Sequence, residues 1–549
     1  MRLRARLLSA WPFVGIPAVA LLAYLPVLSA GFVFDDVPLV QHNSLLRGPL
    51  SAIWIGGEGP DYWPLSMSAF WVEWRLWGDA PAGYHASNLA LHILASLLLW
   101  RVLRALRVPG APVAALLFAV HPVAVESVAW ISELKNTLSA LPFLATAIAW
   151  NRFDEERRWR SLALAALLFA AALLAKTSVA PLPLVLLGVC FVRRGRIERR
   201  DLEGVAPLAA LALAAGLTTL WFQQHVAVAH GWSPERGVLE RLGMASRALA
   251  FYVETAYLPT RLAFVHPPWP STPWSFLPVA GLAAVAGLLW RFRRTGGRAP
   301  LLALGYQTLM LLPILGLIEI AYFRIGPVSN HLQYLALLGP VALAGFALER
   351  LGERSRPAGA VATVVLVVAL GWVTEGRARA FEDELTLWQE AARRSPESPL
   401  AHRELAIALA ERGRGPEALA ELETMARVAS DPAERHHARA LWLLASGRAV
   451  EAVAEGEQAV RLRPDPAFRR DLGVALVKSG RWAEAVQVLD PLVRAEPDVA
   501  DPWYWLGVAL AGSGRLPEAA QALRQACRLS PGDPAMRAAL DAVLARSGP

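Results

Sequence analysis

Cysteine is nearly absent: Cys190 and Cys527 are the only two in 549 residues. One lies in an apolar segment and the other in a distant helical repeat. Neither a disulfide framework nor a cysteine-based metal site is supported, and buried, inert thiols are expected. Charge is scarce as well. Asp, Glu, Lys and Arg make up 18% of the chain, against about 25% in ordinary soluble domains. No glycine-rich phosphate loop occurs, and no zinc-finger spacing or other nucleic-acid motif. The net charge of +8 does not point to nucleic acid either. From residue 382 onward 21 basic residues meet 25 acidic ones, and before it 33 basic meet 21 acidic. That basic excess sits in short loops between apolar segments, where it reports membrane orientation.

What fills the sequence instead is apolar. Hydrophobic residues make up 55%, in Leu/Ala/Val-rich runs that approach the ~20 residues needed to cross a bilayer. Candidate spans lie near 11–30, 88–107, 112–128, 134–150, 160–176, 177–193, 203–223, 275–291, 299–318, 331–349 and 358–375, about 11 in all. The first is read as an uncleaved span, not a signal peptide ending at Ala30, because many spans follow it. Arg2, Arg4 and Arg6 place the N-terminus in the cytoplasm. The clusters Arg101–Arg107, Arg157–Arg160, Arg193–Arg200, Arg291–Arg298 and Arg350–Arg356 then fall on the same side. This count requires 247–265 to be a re-entrant or interfacial helix broken by Pro259. Residues 376–549 are then outside the cytoplasm. The Ala/Arg-rich composition is that of a GC-rich bacterium, so an integral protein of a bacterial inner membrane is expected, with its C-terminal part in the periplasm.

The last third carries a period. Gly413-Arg-Gly-Pro-Glu-Ala418, Gly447-Arg-Ala-Val-Glu-Ala452, Gly480-Arg-Trp-Ala-Glu-Ala485 and Gly514-Arg-Leu-Pro-Glu-Ala519 recur at steps of 34, 33 and 34. Ala406, Ala440, Gly473 and Gly507 keep the spacing, as do Pro464, Pro497 and Pro531. A helix-turn-helix unit follows, with small residues where two helices approach, glycine at the turn and proline after the second helix. Flanking helices near Leu385–Trp388 and 534–546 would cap the stack. The expected fold class is all-α: a polytopic transmembrane bundle over 1–378, then a tetratricopeptide α-solenoid over 379–549. The repeats offer a concave surface for a peptide or protein segment, or serve as a spacer.

Polar residues gather in segments expected to face outward, where buried ionisable groups mark cavities and sites. Asp35 and Asp36 follow the first span, with Asn43 beyond them. Side chains alternate on an extended chain, so one carboxylate can serve as general base while the other orients it or binds a divalent cation. Flanking a span is the plainer role. His85, Asn88 and His92 share one helix face, as core hydrogen-bonders also would, and their spacing does not support a metal site. His121, Glu126, Glu133, Lys135 and Asn136 suit a phosphate-bearing ligand and its acceptor. Lys176 ends another span, where snorkelling is its bland explanation. Arg247, Arg261, Arg324 and His331, with Tyr334, are further candidates for a phosphate leaving group.

Taken in order, these segments resemble the transmembrane-and-tetratricopeptide O-mannosyltransferase family and its bacterial relatives, within the C-type (GT-C) glycosyltransferase superfamily. The carriers are Asp35-Asp36 with Asn43, Pro64-Leu65, Tyr84-His85-x-x-Asn88-x-x-x-His92, Phe118-Ala-Val-His121-Pro122 with Glu126, Glu133-Leu-Lys135-Asn136, and Lys176. The resemblance implies a polyprenyl-phosphate sugar donor whose lipid lies among the spans and whose sugar lies outside. It implies an acceptor hydroxyl, Ser or Thr of a protein held near the repeats, deprotonated by Asp35 or Asp36, and a one-step inverting displacement. His85, Asn88, His92, His121, Glu126, Glu133, Lys135, Lys176 and His331 would bind donor and acceptor. Two departures stand out: Trp63 where an arginine commonly precedes Pro-Leu, and Asn330-His331-Leu-Gln-Tyr334 where Asp-Arg-Tyr-Thr-Tyr is common. An inactive membrane-anchored scaffold for protein–protein interaction is the competing reading. A transporter would instead show midplane polar groups and an internal repeat.

Overall fold

The computed structural model describes residues 11–547 except 56–60, 228–235, 271, 319 and 531; the side chains of 226, 227, 321, 324 and 547 are also outside the description. Arg2, Arg4, Arg6, Pro531 and the side chain of Arg324 therefore lie outside the described residues. Within them every regular element is helical. The chain divides into two compact units, 1–224 with 235–387, and 388–549 with 225–234.

The first unit belongs to an integral membrane protein. Five helices are long and apolar enough to cross a bilayer: Pro81–Ala105, Thr177–Arg194, Arg199–His225, Pro273–Arg291 and Arg356–Phe381. Ala111–Ala119 and Pro122–Ala129 form a pair bent by 48°, a sixth candidate. About 11 apolar runs are thus represented by five or six continuous spans among the described residues. The other runs are shorter or more polar as helices. Pro12–Ala23 has 12 residues, Trp159–Ala175 has 17 and Arg298–Leu311 has 14. Leu134–Glu156 is long but carries Lys135, Asn136 and, near its end, Arg152 to Glu156. Proline cuts the runs at Pro26, Pro122, Pro181 and Pro313, where a missing N–H and a ring clash stop an α-helix. The segment expected to be broken at Pro259 is a helix, Val238–Tyr257, followed by a non-helical stretch whose Leu262–Val265 are buried. Close helix approach is visible at Gly110 and Gly345. A Cβ on Gly110 would stand 2.0 Å from the Gly345 carbonyl oxygen, so only glycine lets these backbones meet.

The second unit is a regular stack. Its helix pairs are Pro399–Glu411 with Gly415–Val428, Pro432–Ala445 with Ala449–Leu462, Pro466–Lys478 with Trp482–Ala495, and Ala500–Gly512 with Leu516–Leu529. Pro534–Ser547 follows them. Gly413, Gly447, Gly480 and Gly514 turn the chain with φ of +73°, +77°, +78° and +79°. In each turn the next N–H closes a six-residue ring back onto the first helix, Arg414 to Leu409, Arg448 to Leu443, Arg481 to Leu476 and Arg515 to Leu510. This is the Schellman stop, which needs a left-handed residue that glycine adopts without a Cβ penalty. The interior is aliphatic, with Leu472, Leu476, Leu489, Leu506 and Leu523 buried.

Candidate active site

The loop after the first helix is pinned residue by residue. The Asp36 side chain is fully buried. Its Oδ2 accepts from the Val33 N–H at 3.1 Å, and its Oδ1 accepts from the Ser132 N–H at 2.7 Å and the Ser132 hydroxyl. Asp35 is only half-buried. The two carboxylates are therefore not equivalent: Asp36 ties its loop to the 130–133 segment, and Asp35 is the more open. Burial pushes the Asp36 carboxyl up to about 7, against the pull of the Ser132 and Val33 hydrogen bonds. Between them and the helix, Phe34 has φ of +50°, a left-handed conformation that is uncommon for a bulky side chain and costs about 1–3 kcal/mol.

The 130–133 segment carries the loop's other neighbours. The Trp130 ring lies 6.0 Å from that of Phe34 and 5.5 Å from that of His331, centre to centre. Beyond it is a buried polar network. Glu126 accepts from the Ser329 hydroxyl at 3.2 Å, the Asn330 amide at 2.6 Å and the His331 N–H at 3.1 Å. Arg377 approaches the oxygen that Asn330 also reaches, at 3.5 Å. Glu133 lies 2.8 Å from Lys135 and 3.3 Å from Lys176, and accepts from the Asn136 amide at 2.6 Å. The Lys176 ammonium also donates to the Asn136 carbonyl oxygen. His331 stands between the two acids, with Nδ1 3.4 Å from Glu126 and Nε2 3.7 Å from Glu133. Burial alone would raise the Glu133 carboxyl; His331, Lys135 and Lys176 overcome it and hold it well below the ordinary carboxylate range. The Lys135 ammonium lies 4.8 Å over the Trp63 ring. A cation is thus present beside Trp63.

Of the residues singled out in the sequence, Glu126, Glu133, Lys135, Lys176 and His331 are brought together. His85, Asn88, His92 and His121 act around them as buried fasteners. His85 Nε2 donates to the Gly31 carbonyl at 3.3 Å, and Asn88 donates to the Trp130 carbonyl at 3.3 Å. His92 bridges the Tyr334 hydroxyl and the Ala119 carbonyl, and His121 donates to the Ala256 carbonyl at 3.2 Å. Each of the three histidines donates through Nε2 to a backbone carbonyl. Arg247 pairs instead with the Pro270 carbonyl and the Trp269 ring, and Arg261 with Glu254 at 3.6 Å. Among the described residues, the carboxylates converging closely enough to share a metal are Asp154 and Asp201, with Cys190. Arg157, Arg193 and Arg194 already neutralise that pair.

Sequence reasoning passed over Arg377 and Ser132, and met Asn330 only as part of a departure from the family pattern. It also passed over a signal that was available: the chain has only three lysines, Lys135, Lys176 and Lys478. In an arginine-dominated chain two of the three meet on Glu133. Lysine is a compact charge on a flexible stem, not interchangeable with the planar arginine fork.

Residues 71–222 match the family model for dolichyl-phosphate-mannose-protein mannosyltransferase, and residues 377–435 and 470–534 match that for the tetratricopeptide repeat. Protein O-mannosyl-transferase Tmtc1 of Drosophila melanogaster is 34% identical over 192 residues, 32% of this chain and 22% of its own. Protein O-mannosyl-transferase Tmtc2 of the same fly is 30% identical over 213 residues, 34% of this chain and 22% of its own. The human protein O-mannosyl-transferase TMTC3 is 29% identical over 197 residues, 32% and 21% of the two chains. The chain thus matches about a fifth of the length of these curated relatives. The resemblance drawn from the ordered motifs holds: the chain is similar to the transmembrane-and-tetratricopeptide O-mannosyltransferases.

Proposed function

We propose that this protein is a membrane glycosyltransferase that moves a sugar from a polyprenyl-phosphate donor to an acceptor hydroxyl outside the cytoplasm, on a protein held by the tetratricopeptide repeats. The observation that carries the reading is the division of charge across one segment. The Asp35–Asp36 loop is hydrogen-bonded to Ser132, and Lys135, Lys176 and His331 gather around the adjacent Glu133. A displacement at an anomeric carbon needs both: a base for the incoming hydroxyl and cations for the departing phosphate. Asp35, the more open carboxylate, takes the acceptor proton, and Asp36 positions it. The C–O bond to phosphate breaks as the acceptor oxygen attacks from the opposite face, which inverts the anomeric centre. Lys135, Lys176 and His331 receive the phosphate charge. The reading extends to a bacterial inner membrane with the repeats in the periplasm. A divalent cation at the two aspartates would assist the same proton removal, and transfer measured with and without a chelator decides it.

Glu133 favours the competing reading, an inactive scaffold, because both lysines already pair with it. One experiment separates the two. The full chain in nanodiscs is given a polyprenyl-phosphate mannose and a Ser/Thr-containing peptide, with Asp35→Asn as the variant. The transferase reading expects a loss of about 10²-fold or more, the size of a general-base contribution, at unchanged expression. Transfer equal to the unaltered protein would sink the assignment.

A further inference from the structure

The loop bearing Asp35 is held from two directions, and only one belongs to the network already described. Asp36 fastens its far side to Ser132. Its near side is fastened to the residues just after the last long apolar helix. The Gly31 N–H donates to the Glu382 carbonyl at 2.9 Å, and the Phe34 N–H donates to Glu384 Oε2 at 2.7 Å. Glu384 is 350 residues away in sequence and opens the helix Glu384–Arg394. Its acceptor oxygen meets the one N–H in this loop whose residue has a left-handed backbone, Phe34 at φ +50°.

We infer that Glu384 is a positioning residue for the transfer reaction: its carboxylate holds Phe34 in the strained conformation that aims Asp35. The chemistry is direct. A phenylalanine left to itself relaxes to negative φ, and rotating one residue upstream redirects the next side chain. A strained residue persists only where its surroundings over-determine it. Here those surroundings are a charge-assisted hydrogen bond at its N–H and the Trp130 and Phe264 rings, at 6.0 and 5.9 Å from its own. The rings fix where the side chain lies; Glu384 fixes where the amide points. Glu384 touches neither donor nor acceptor in this scheme and acts through Asp35 alone. The assignment rests on the reading of Asp35 as the base.

The test uses the full chain in nanodiscs and two readouts. Amide hydrogen exchange of the 31–36 segment reads the loop without any substrate. Glu384→Ala should speed it about tenfold or more, the worth of a hydrogen bond to a charged group. Glu384→Gln keeps an acceptor oxygen and should stay within about threefold of the unaltered protein. Transfer from a polyprenyl-phosphate mannose is the second readout. Glu384→Ala should lower kcat about tenfold with KM within about twofold, and in a Phe34→Gly background, where φ +50° carries no Cβ strain, the same substitution should cost about threefold or less. That non-additivity separates positioning from general damage. Unchanged exchange in Glu384→Ala would overturn the inference, as would equal kcat losses with Phe34 and with Gly at position 34. If Asp35→Asn transfers as well as the unaltered protein, the transferase reading has failed, and exchange alone then judges whether Glu384 holds the loop.

Discussion

The two units differ in which charge pairs repeat and which do not. In the repeats, Arg414–Glu417, Arg448–Glu451, Arg481–Glu484 and Arg515–Glu518 form the same pair four times, each at the start of a second helix and each at the surface. In the membrane unit Glu126, Glu133, Lys176, His331 and Arg377 have no period and are at most 10% exposed at the side chain. Repeated surface pairs cost little to keep and do little for stability. Buried charges in a membrane protein cost several kcal/mol each unless fully paired, so they persist where a function requires them. Periodicity and expense therefore mark different things: the first marks architecture, the second a candidate site.

The largest expected effect tests the expensive side. Glu126→Ala leaves the His331 N–H, the Asn330 amide and Arg377 without their shared acceptor. Breaking one partner of a buried ionic network costs about 3–5 kcal/mol. The expected outcome is a fall in the thermal midpoint of the membrane unit by many degrees, or failure to accumulate in the membrane. A loss of less than about 1 kcal/mol would make this network as dispensable as a surface pair and end the comparison.

Acidity sharpens the contrast, because the two units should respond with opposite sign. Burial raises the Asp36 carboxyl to about 7, above its ordinary value near 4. The native state then holds a proton that the unfolded chain has released. This contribution is full below about pH 4 and is lost as pH climbs through about 7. Asp471, in the repeats, goes the other way. Burial alone would raise it, but Arg470 and His437 hold it well below the ordinary range, so its contribution is present above pH 4 and lost on acidification. Amide exchange of the 31–36 segment should therefore quicken from pH 5 to pH 8, beyond the intrinsic rate change, and Asp36→Asn should remove that dependence. The 437–471 region should loosen only toward low pH.

How legible each unit was in the sequence follows from the same difference. The repeat helices could be placed from Gly413, Gly447, Gly480 and Gly514, because a Schellman turn is a local device written within six residues. The buried network is written across the whole first unit. Glu126 meets Ser329, Asn330 and Arg377 at separations of 203 to 251 residues, and no spacing rule joins them. Candidates such as Lys135 and Lys176 were visible as residue types out of place, whereas nothing in the spacing singled out Arg377. Asp35 and Asp36 looked alike as neighbours; only Ser132, 96 residues on, tells them apart. The spans were legible only as apolar runs, because hydropathy registers those runs but not the bends at proline that shorten the helices.

A smaller effect probes the periodic side. Gly480→Ala places a Cβ on a residue at φ +78°, which costs about 1–2 kcal/mol in the left-handed region. The same substitution at Gly447 should cost the same amount, because the turn hydrogen bonds are the same. Thermal unfolding of both variants checks this, and a difference above about 1 kcal/mol would show that the repeats are not energetically equivalent where their geometry repeats.

The smallest expected effect repeats the Glu→Ala change of Glu126 in the other unit. Glu451 pairs with Arg448 at the start of its helix, but both side chains are about half exposed. Water and salt already screen the pair, and ordering two long side chains opposes what attraction remains. Glu451→Ala should leave the thermal midpoint within about 1 °C, at low and at physiological ionic strength alike. The measurement is most informative beside Glu126→Ala, because the chemical change is identical and only the surroundings differ. If the surface variant proves the more damaging of the two, the four repeated pairs are holding the helices at their starts, and the period in this unit carries stability that its exposure conceals.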